Sequence, residues 1–379
     1  MSTGTRRTDR HGARRSFTLT ELLVVVMIIS LLASTVMFAM YGAVEEARAA
    51  RTRTQIVRLN DLLMTRWESY RTRVMRLPLP AEVRRNPRRV AIARLNALRD
   101  LIRMELPDRV EDVRDLPITI PLGEGETVQV AIPAVWHEYQ RRATAEWLAP
   151  AGNRPYEDAE CLYMIIASIR DLDGNGLDFL KESEIGDLDG NGMPEILDAW
   201  GNPIRFIRWP AGFVAHPGSD HNWGTERDIP NYSDVQGIVP DFDREPPPDA
   251  SHADGDAEAD SRYIAPAMRD PFDPLRVDDR FSVPIDPSGS GDAHYFFNFA
   301  LHPLIFSAGP DGRFDLVRFD YDDDDPQTPL SFNYYRGVSG RVQNDPYSIL
   351  RVSGRRLGEP FLDSSGYVDN IHNHAMGDG

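Results

Sequence analysis

From Leu22 to Val44 the chain reads as 23 consecutive uncharged and mostly apolar residues, softened only by Ser30, Ser34, Thr35, Tyr41 and Gly42. At 1.5 Å per residue such a run makes roughly 35 Å of helix, enough to cross a bilayer core. Beyond it the pattern turns amphipathic. Ile56, Leu59, Leu63, Trp67, Tyr70, Val74 and Leu77 recur three or four residues apart, while Arg58, Asp61, Arg66, Glu68, Arg71 and Arg73 lie off that stripe. Together the two patterns predict one helix from Phe17 to Leu77, with Gly42 its weakest point and Pro78 and Pro80 its stop.

Further along, apolar positions from Val90 to Ile102 predict a second helix in the basic stretch that starts at Arg84. Others are expected over Ala134–Trp147 and Tyr156–Arg170, the latter around the buried-looking run "AECLYMIIASI". "AHYFFNFALHPLIFSA" reads as core strands around Pro303. Residues 241–260 hold six Asp, two Glu and three consecutive Pro, so they cannot build a core; an exposed, mobile loop is expected there, within a flexible insertion around 241–292. The resulting division is 1–16, 17–44, 45–77, a helical 78–170 and an acidic 171–379.

Charge sharpens this division. Residues 1–110 carry a formal +11 and the remainder −28, a basic stem on an acidic head. Such a head suits cations rather than nucleic acid, and no nucleic-acid partner is expected. The basic stretch after Arg84 lacks interleaved aromatics and reads as a face toward anionic lipid or an acidic neighbour. A single cysteine, Cys161, excludes an internal disulfide, and a single lysine, Lys181, argues against Schiff-base or P-loop chemistry. There is no G-x-S-x-G or H-E-x-x-H, so an enzyme is not expected. Five arginines (Arg6, Arg7, Arg10, Arg14, Arg15) precede the apolar run and Glu45 and Glu46 follow it. The positive-inside rule places the N-terminus in the cytoplasm and the rest outside, as a single-pass protein.

One carboxylate is out of place in this pattern. Glu21 sits at the threshold of the apolar run, where a carboxylate costs on the order of 2.5–3.5 kcal/mol and usually has a partner. Basic leader, small residue, Phe-Thr-Leu-Thr-Glu and long apolar run together resemble the signal of type IV prepilins and type II secretion pseudopilins. That resemblance implies cleavage by prepilin peptidase between Ser16 and Phe17, and methylation of the new Phe17 amine. It also gives Glu21 a partner, the N-terminal amine of a neighbouring subunit. Ser16 stands where the family usually has Gly.

Two copies of "DLDGNG" follow, at Asp171 and Asp187. Asp171, Asp173, Asn175 and Glu182 fill the first, third, fifth and twelfth places of a calcium-loop template, and Asp187, Asp189, Asn191 and Asp198 fill the same places in the second copy. Alternating short carboxylates gather hard oxygens around one centre, and glycine permits the sharp turn. With only Ser183–Gly186 between the loops, paired EF-hand helices have no room; calcium staples are expected, though the same spacing also builds Asx turns with solvated carboxylates. "DAWGNPIRF" and "FSAGPDGRFD" resemble two landmarks of major pseudopilin heads, through Trp200, Gly201, Asn202 and Pro203 and through Ser307, Gly309, Asp311 and Gly312. The resemblance implies an α+β fold, a lollipop whose long N-terminal helix packs on a small antiparallel sheet. It also implies a structural calcium ion held by Ser307 and Asp311, with Asp315, Asp320 and Asp322 completing the shell. Arg313 and Phe314 replace the family's glycine-rich continuation.

The function implied is a non-catalytic subunit of the bacterial inner membrane with a periplasmic head. It would polymerise with itself and other pseudopilins, on an inner-membrane assembly platform, into a pseudopilus that drives type II secretion. A membrane-anchored minor pilin or adhesin is the alternative.

Overall fold

The structure, a computed structural model, describes residues 19–123, 125–150, 154–171, 174–210, 213, 270–275, 277, 301–314, 316, 357–358 and 369–374. Ser16, Phe17, Asp173, Asp315, the side chain of Asp171 and nearly all of the insertion lie outside them. The chain divides at Arg48/Ala49 into two compact units.

In the first unit α1 (Leu19–Ser69) begins, with Glu21 in its first turn. Its apolar side chains are exposed, and an 18-residue window reaches a mean hydropathy of 2.7. By length and composition this helix can cross a membrane. The polar groups along it are satisfied locally: the hydroxyls of Ser30, Ser34 and Thr35 donate to the carbonyls of Val26, Leu31 and Leu32. Such internal bonding is what a hydrocarbon medium demands. The helix passes Gly42 unbroken.

In the second unit the stripe does what its period foretold as far as Tyr70. Ile56, Leu59, Leu63, Trp67 and Tyr70 are all buried in the main core. The helix then stops earlier than its sequence pattern suggested, closing with a 3-10 turn at Tyr70–Thr72, and Val74 is 78% exposed. Arg73 is already extended, and its guanidinium shares the Glu105 carboxylate with the Tyr70 hydroxyl, at 2.8 and 2.9 Å.

Two short-range signals open the next elements. After α2 (Ala81–Arg84), α3 (Pro87–Glu105) starts at Asn86, whose side chain accepts from the Arg89 amide, with Pro87 in the first helical position. Both sides of α3 are covered. Leu98 and Ile102 join the main core, as do Val110 and Val113 of α4 (Val110–Arg114), while Ala93, Ala97, Leu101 and Met104 join a smaller one with the hairpin β1 (Ile120–Gly123)–β2 (Glu126–Val128) and Trp136. Arg99 and Arg103, read from sequence as part of a basic face, are instead buried on Asp270 and Asp100, each at 2.9 Å.

α5 (Ala134–Arg142) ends short of Trp147, because Ala143 turns extended. α6 (Glu157–Ser168) is buried nearly all round and packs on the strands Glu195–Ile196 and Arg205–Ile207. Two tight hairpins follow, β3 (Arg170–Asp171)–β4 (Gly174–Asn175) and β5 (Ile185–Gly186)–β6 (Glu195–Ile196). The sheet proper is antiparallel, β7 (Arg205–Ile207)–β8 (Leu304–Ser307)–β9 (Ile371–His372), with Phe206 opposite Ile305 and Ser307 opposite Ile371. The second unit is thus mixed helix and small antiparallel sheets around one main core.

Candidate functional site

The second "DLDGNG" copy forms the tip of the β5–β6 hairpin, in which Gly186 pairs with Glu195. Its geometry is a run of Asx turns. Asp187 accepts the amides of Gly190 and Gly192 at 2.8 and 3.0 Å, Asp189 that of Asn191 at 3.1 Å, and Asn191 that of Met193 at 2.7 Å. Gly190 and Gly192 take φ of +75° and +84°, the left-handed region that side-chain-bearing residues avoid.

Against this tip lies Glu160 of α6. Carboxylate oxygens of Glu160, Asp189 and Glu195 fall within 4.8 Å of one another, the only such grouping of His, Cys, Asp and Glu among the described residues. Glu160 and Glu195 are buried, and Asp189 is exposed, so the cluster opens to solvent on one side. The Trp147 indole N–H donates to Glu160 Oε2, and Asn191 Nδ2 lies 2.6 Å from Glu160 and 2.8 Å from Asp189. The Leu188 amide donates to Glu195 Oε2 at 2.9 Å, but Glu195 Oε1 has no hydrogen-bond partner among the described residues. Burial pushes both buried carboxyls up to about 7, and their mutual repulsion with Asp189 adds to it; the Trp147, Asn191 and Leu188 donors oppose it.

The remaining residues singled out in the sequence fall elsewhere. Asp198 is not in this cluster: the antiparallel β5–β6 pairing carries the chain beyond Ile196 away from the tip. There Asp198 Oδ1 accepts the amides of Trp200 and Asn202, and its Oδ2 accepts from Ser307. Asp311 is exposed and caps its own turn, accepting the Arg313 amide at 2.8 Å. In the first copy, Asn175 Oδ1 accepts the Leu177 amide and Asp178 accepts that of Asn175, while Glu182 is exposed and opens a separate 3-10 turn. Glu160 and Glu195 were missed. Glu195 stands in the ninth place of the second loop template, a readable signal, whereas nothing local marks Glu160.

No protein-family model, curated protein or solved structure matches the chain. Its chemistry therefore rests on its own residues: an apolar helix with a carboxylate in its first turn, and a half-buried acidic centre of hard oxygens.

Proposed function

We propose that the chain is a pseudopilin-like structural subunit. In this reading prepilin peptidase cleaves between Ser16 and Phe17, α1 holds the protein in the bacterial inner membrane with its head in the periplasm, and subunits polymerise through that helix into a pseudopilus of the type II secretion class. What supports the reading is the single helix α1. It is apolar over a membrane's width, carries Glu21 in its first turn, and further along places Ile56, Leu59, Leu63 and Trp67 in the core of the folded unit. An ordinary signal peptide has neither the length nor the continuation. The Phe17 ammonium of one subunit and the Glu21 carboxylate of its neighbour, each costly in lipid, offset one another on docking.

Mass spectrometry of the mature protein and crosslinking of Glu21→Leu test this. The expected N-terminus is methylated Phe17. The variant should be processed and embedded in the membrane, yet fail to crosslink into oligomers beside its assembly platform. A mature chain starting near Ala39, or Glu21→Leu subunits that assemble as wild type does, would refute it.

A further inference from the structure

We propose that Glu160, Asp189 and Glu195 bind one hard divalent cation, of the calcium class, between α6 and the tip of the β5–β6 hairpin. Two of the carboxylates belong to the β5–β6 hairpin and the third to α6, and their oxygens lie within 4.8 Å of one another. Calcium–oxygen distances of about 2.3–2.6 Å place ligands on opposite sides of one ion about 4.6–5.2 Å apart, so the spacing accommodates a single ion at its centre.

The second observation is independent of this clustering. Glu195 is 0% exposed, and its Oε1 has no hydrogen-bond partner among the described residues. A buried carboxylate oxygen left unpaired is costly. The donors that reach the three carboxylates among the described residues are the Trp147 indole, the Leu188 and Asn191 backbone amides and the Asn191 side chain, and all of them are neutral. Neutral donors offset only part of the repulsion between three acids. A cation meets the need that they leave. The exposed side of Asp189 gives an ion its entry, and water can complete the coordination sphere there. An all-oxygen donor set without His or Cys selects calcium or magnesium over zinc.

The probe is CaCl2 added to the full-length protein in detergent after chelator treatment, followed by melting and by equilibrium dialysis with radioactive calcium. Wild type should take up calcium and melt several degrees higher. Glu195→Gln and Glu160→Gln should each bind one ion fewer and lose most of that shift. In chelator they should melt no lower than wild type, because an isosteric amide relieves buried charge. Exposed Asp189→Asn guards against misfolding, and should weaken binding at least tenfold without changing the melt in chelator. Terbium, substituted for calcium and excited through indole, should lose most of its emission in Trp147→Phe. Absence of calcium uptake by wild type, or full uptake by Asp189→Asn and Glu195→Gln together, overturns the proposal. The site stands apart from the filament reading, since leader processing and Glu21-dependent crosslinking can each fail while calcium binding persists.

Discussion

Ser307 Oγ donates to Asp198 Oδ2 at 2.6 Å, joining two turns 109 residues apart. Around this bond the "DAWGNP" and "SAGPDG" segments form one lock. Asp198 Oδ1 gathers the Trp200 and Asn202 amides, Asn202 Nδ2 donates to the Gly309 carbonyl at 3.1 Å, and the Gly309 amide returns to Ser307 Oγ at 3.1 Å. Gly309 sits at φ +67°, and a Cβ there would clash with the Asp369 carbonyl oxygen. The two landmarks therefore close on each other through side-chain and backbone hydrogen bonds, with Asp198 as an organiser of the turn.

Ser307→Ala tests that role. It removes a charge-assisted hydrogen bond and strands the buried Gly309 amide, a loss of about 1.5–3 kcal/mol. Urea unfolding should show the same loss in calcium and in chelator. A loss confined to calcium would make Ser307 an ion ligand and not a turn fastener.

Local period made the helices legible. Ile56 to Tyr70 follow a spacing that any amphipathic helix repeats, and all five stripe positions are buried. Val74 and Leu77 continue the spacing but fall under the steric reach of Pro78 and Pro80, a constraint that hydrophobic counting does not weigh. The acidic site was half legible. Asp187, Asp189 and Asn191 announce themselves by alternation, because an Asx-rich turn is a local object. Glu160 reaches the same centre from α6 through tertiary packing, and Asp198 is carried away by strand pairing. Neither displacement is written in spacing. The same holds for Arg208, whose neighbours look in sequence like ordinary surface charges.

That arginine carries another prediction. Fully buried, it lies 3.2 Å from Asp108 and 2.7 Å from Asp112, donates to the Leu106 carbonyl at 2.7 Å, and stacks on Trp209. Arg208→Met would leave two buried carboxylates short of their main cation. Breaking one side of such a group costs on the order of 3–5 kcal/mol. Chemical denaturation should show a loss of that size. A change under about 1 kcal/mol, the scale of exposed ion pairs, would mean the network is solvated.

The same network makes stability depend on pH in a defined sense. Burial raises the Asp108 carboxyl to about 6; Arg208 and Arg109 oppose this, and the charge on Asp112 adds to it. For Asp112 burial also works upward, but Arg208, Arg109 and Arg103 outweigh it and hold the group at about 2. A carboxyl raised in the folded state penalises folding above about pH 6, and the penalty is relieved as pH falls toward 4. Asn at 108 cannot take up that proton. From pH 7 to 4, wild type should therefore gain about 1–3 kcal/mol relative to Asp108→Asn. Half-buried His374, held down at about 4 by desolvation, loses stability across the same window in both proteins and cancels in the difference. Parallel pH profiles for the two would show that Asp108 does not titrate there.

The boundary at Arg48/Ala49 divides α1 by what its side chains bury. Before it the apolar residues are exposed and contribute nothing to a core; after it Ile56, Leu59, Leu63 and Trp67 are each at or below 1% exposure in the main one. A chain beginning at Ala49 keeps every one of those contacts and sheds the most apolar surface, so it should fold, stay soluble without detergent and show one cooperative unfolding transition. A chain beginning at Glu68 deletes all four side chains. Individual Leu- or Ile-to-Ala losses run about 2–5 kcal/mol and Trp-to-Ala losses about 3–5, so their combined removal, about 9–20 kcal/mol, is as large as the ordinary 5–15 kcal/mol of a whole domain. That shorter chain should be unfolded or aggregated by circular dichroism and size-exclusion chromatography. Within the full-length protein, Trp67→Ala should lower the melting of the folded unit sharply while Leu31→Ala leaves it unmoved. Equal effects from the two substitutions would show that the helix does not change role at that boundary.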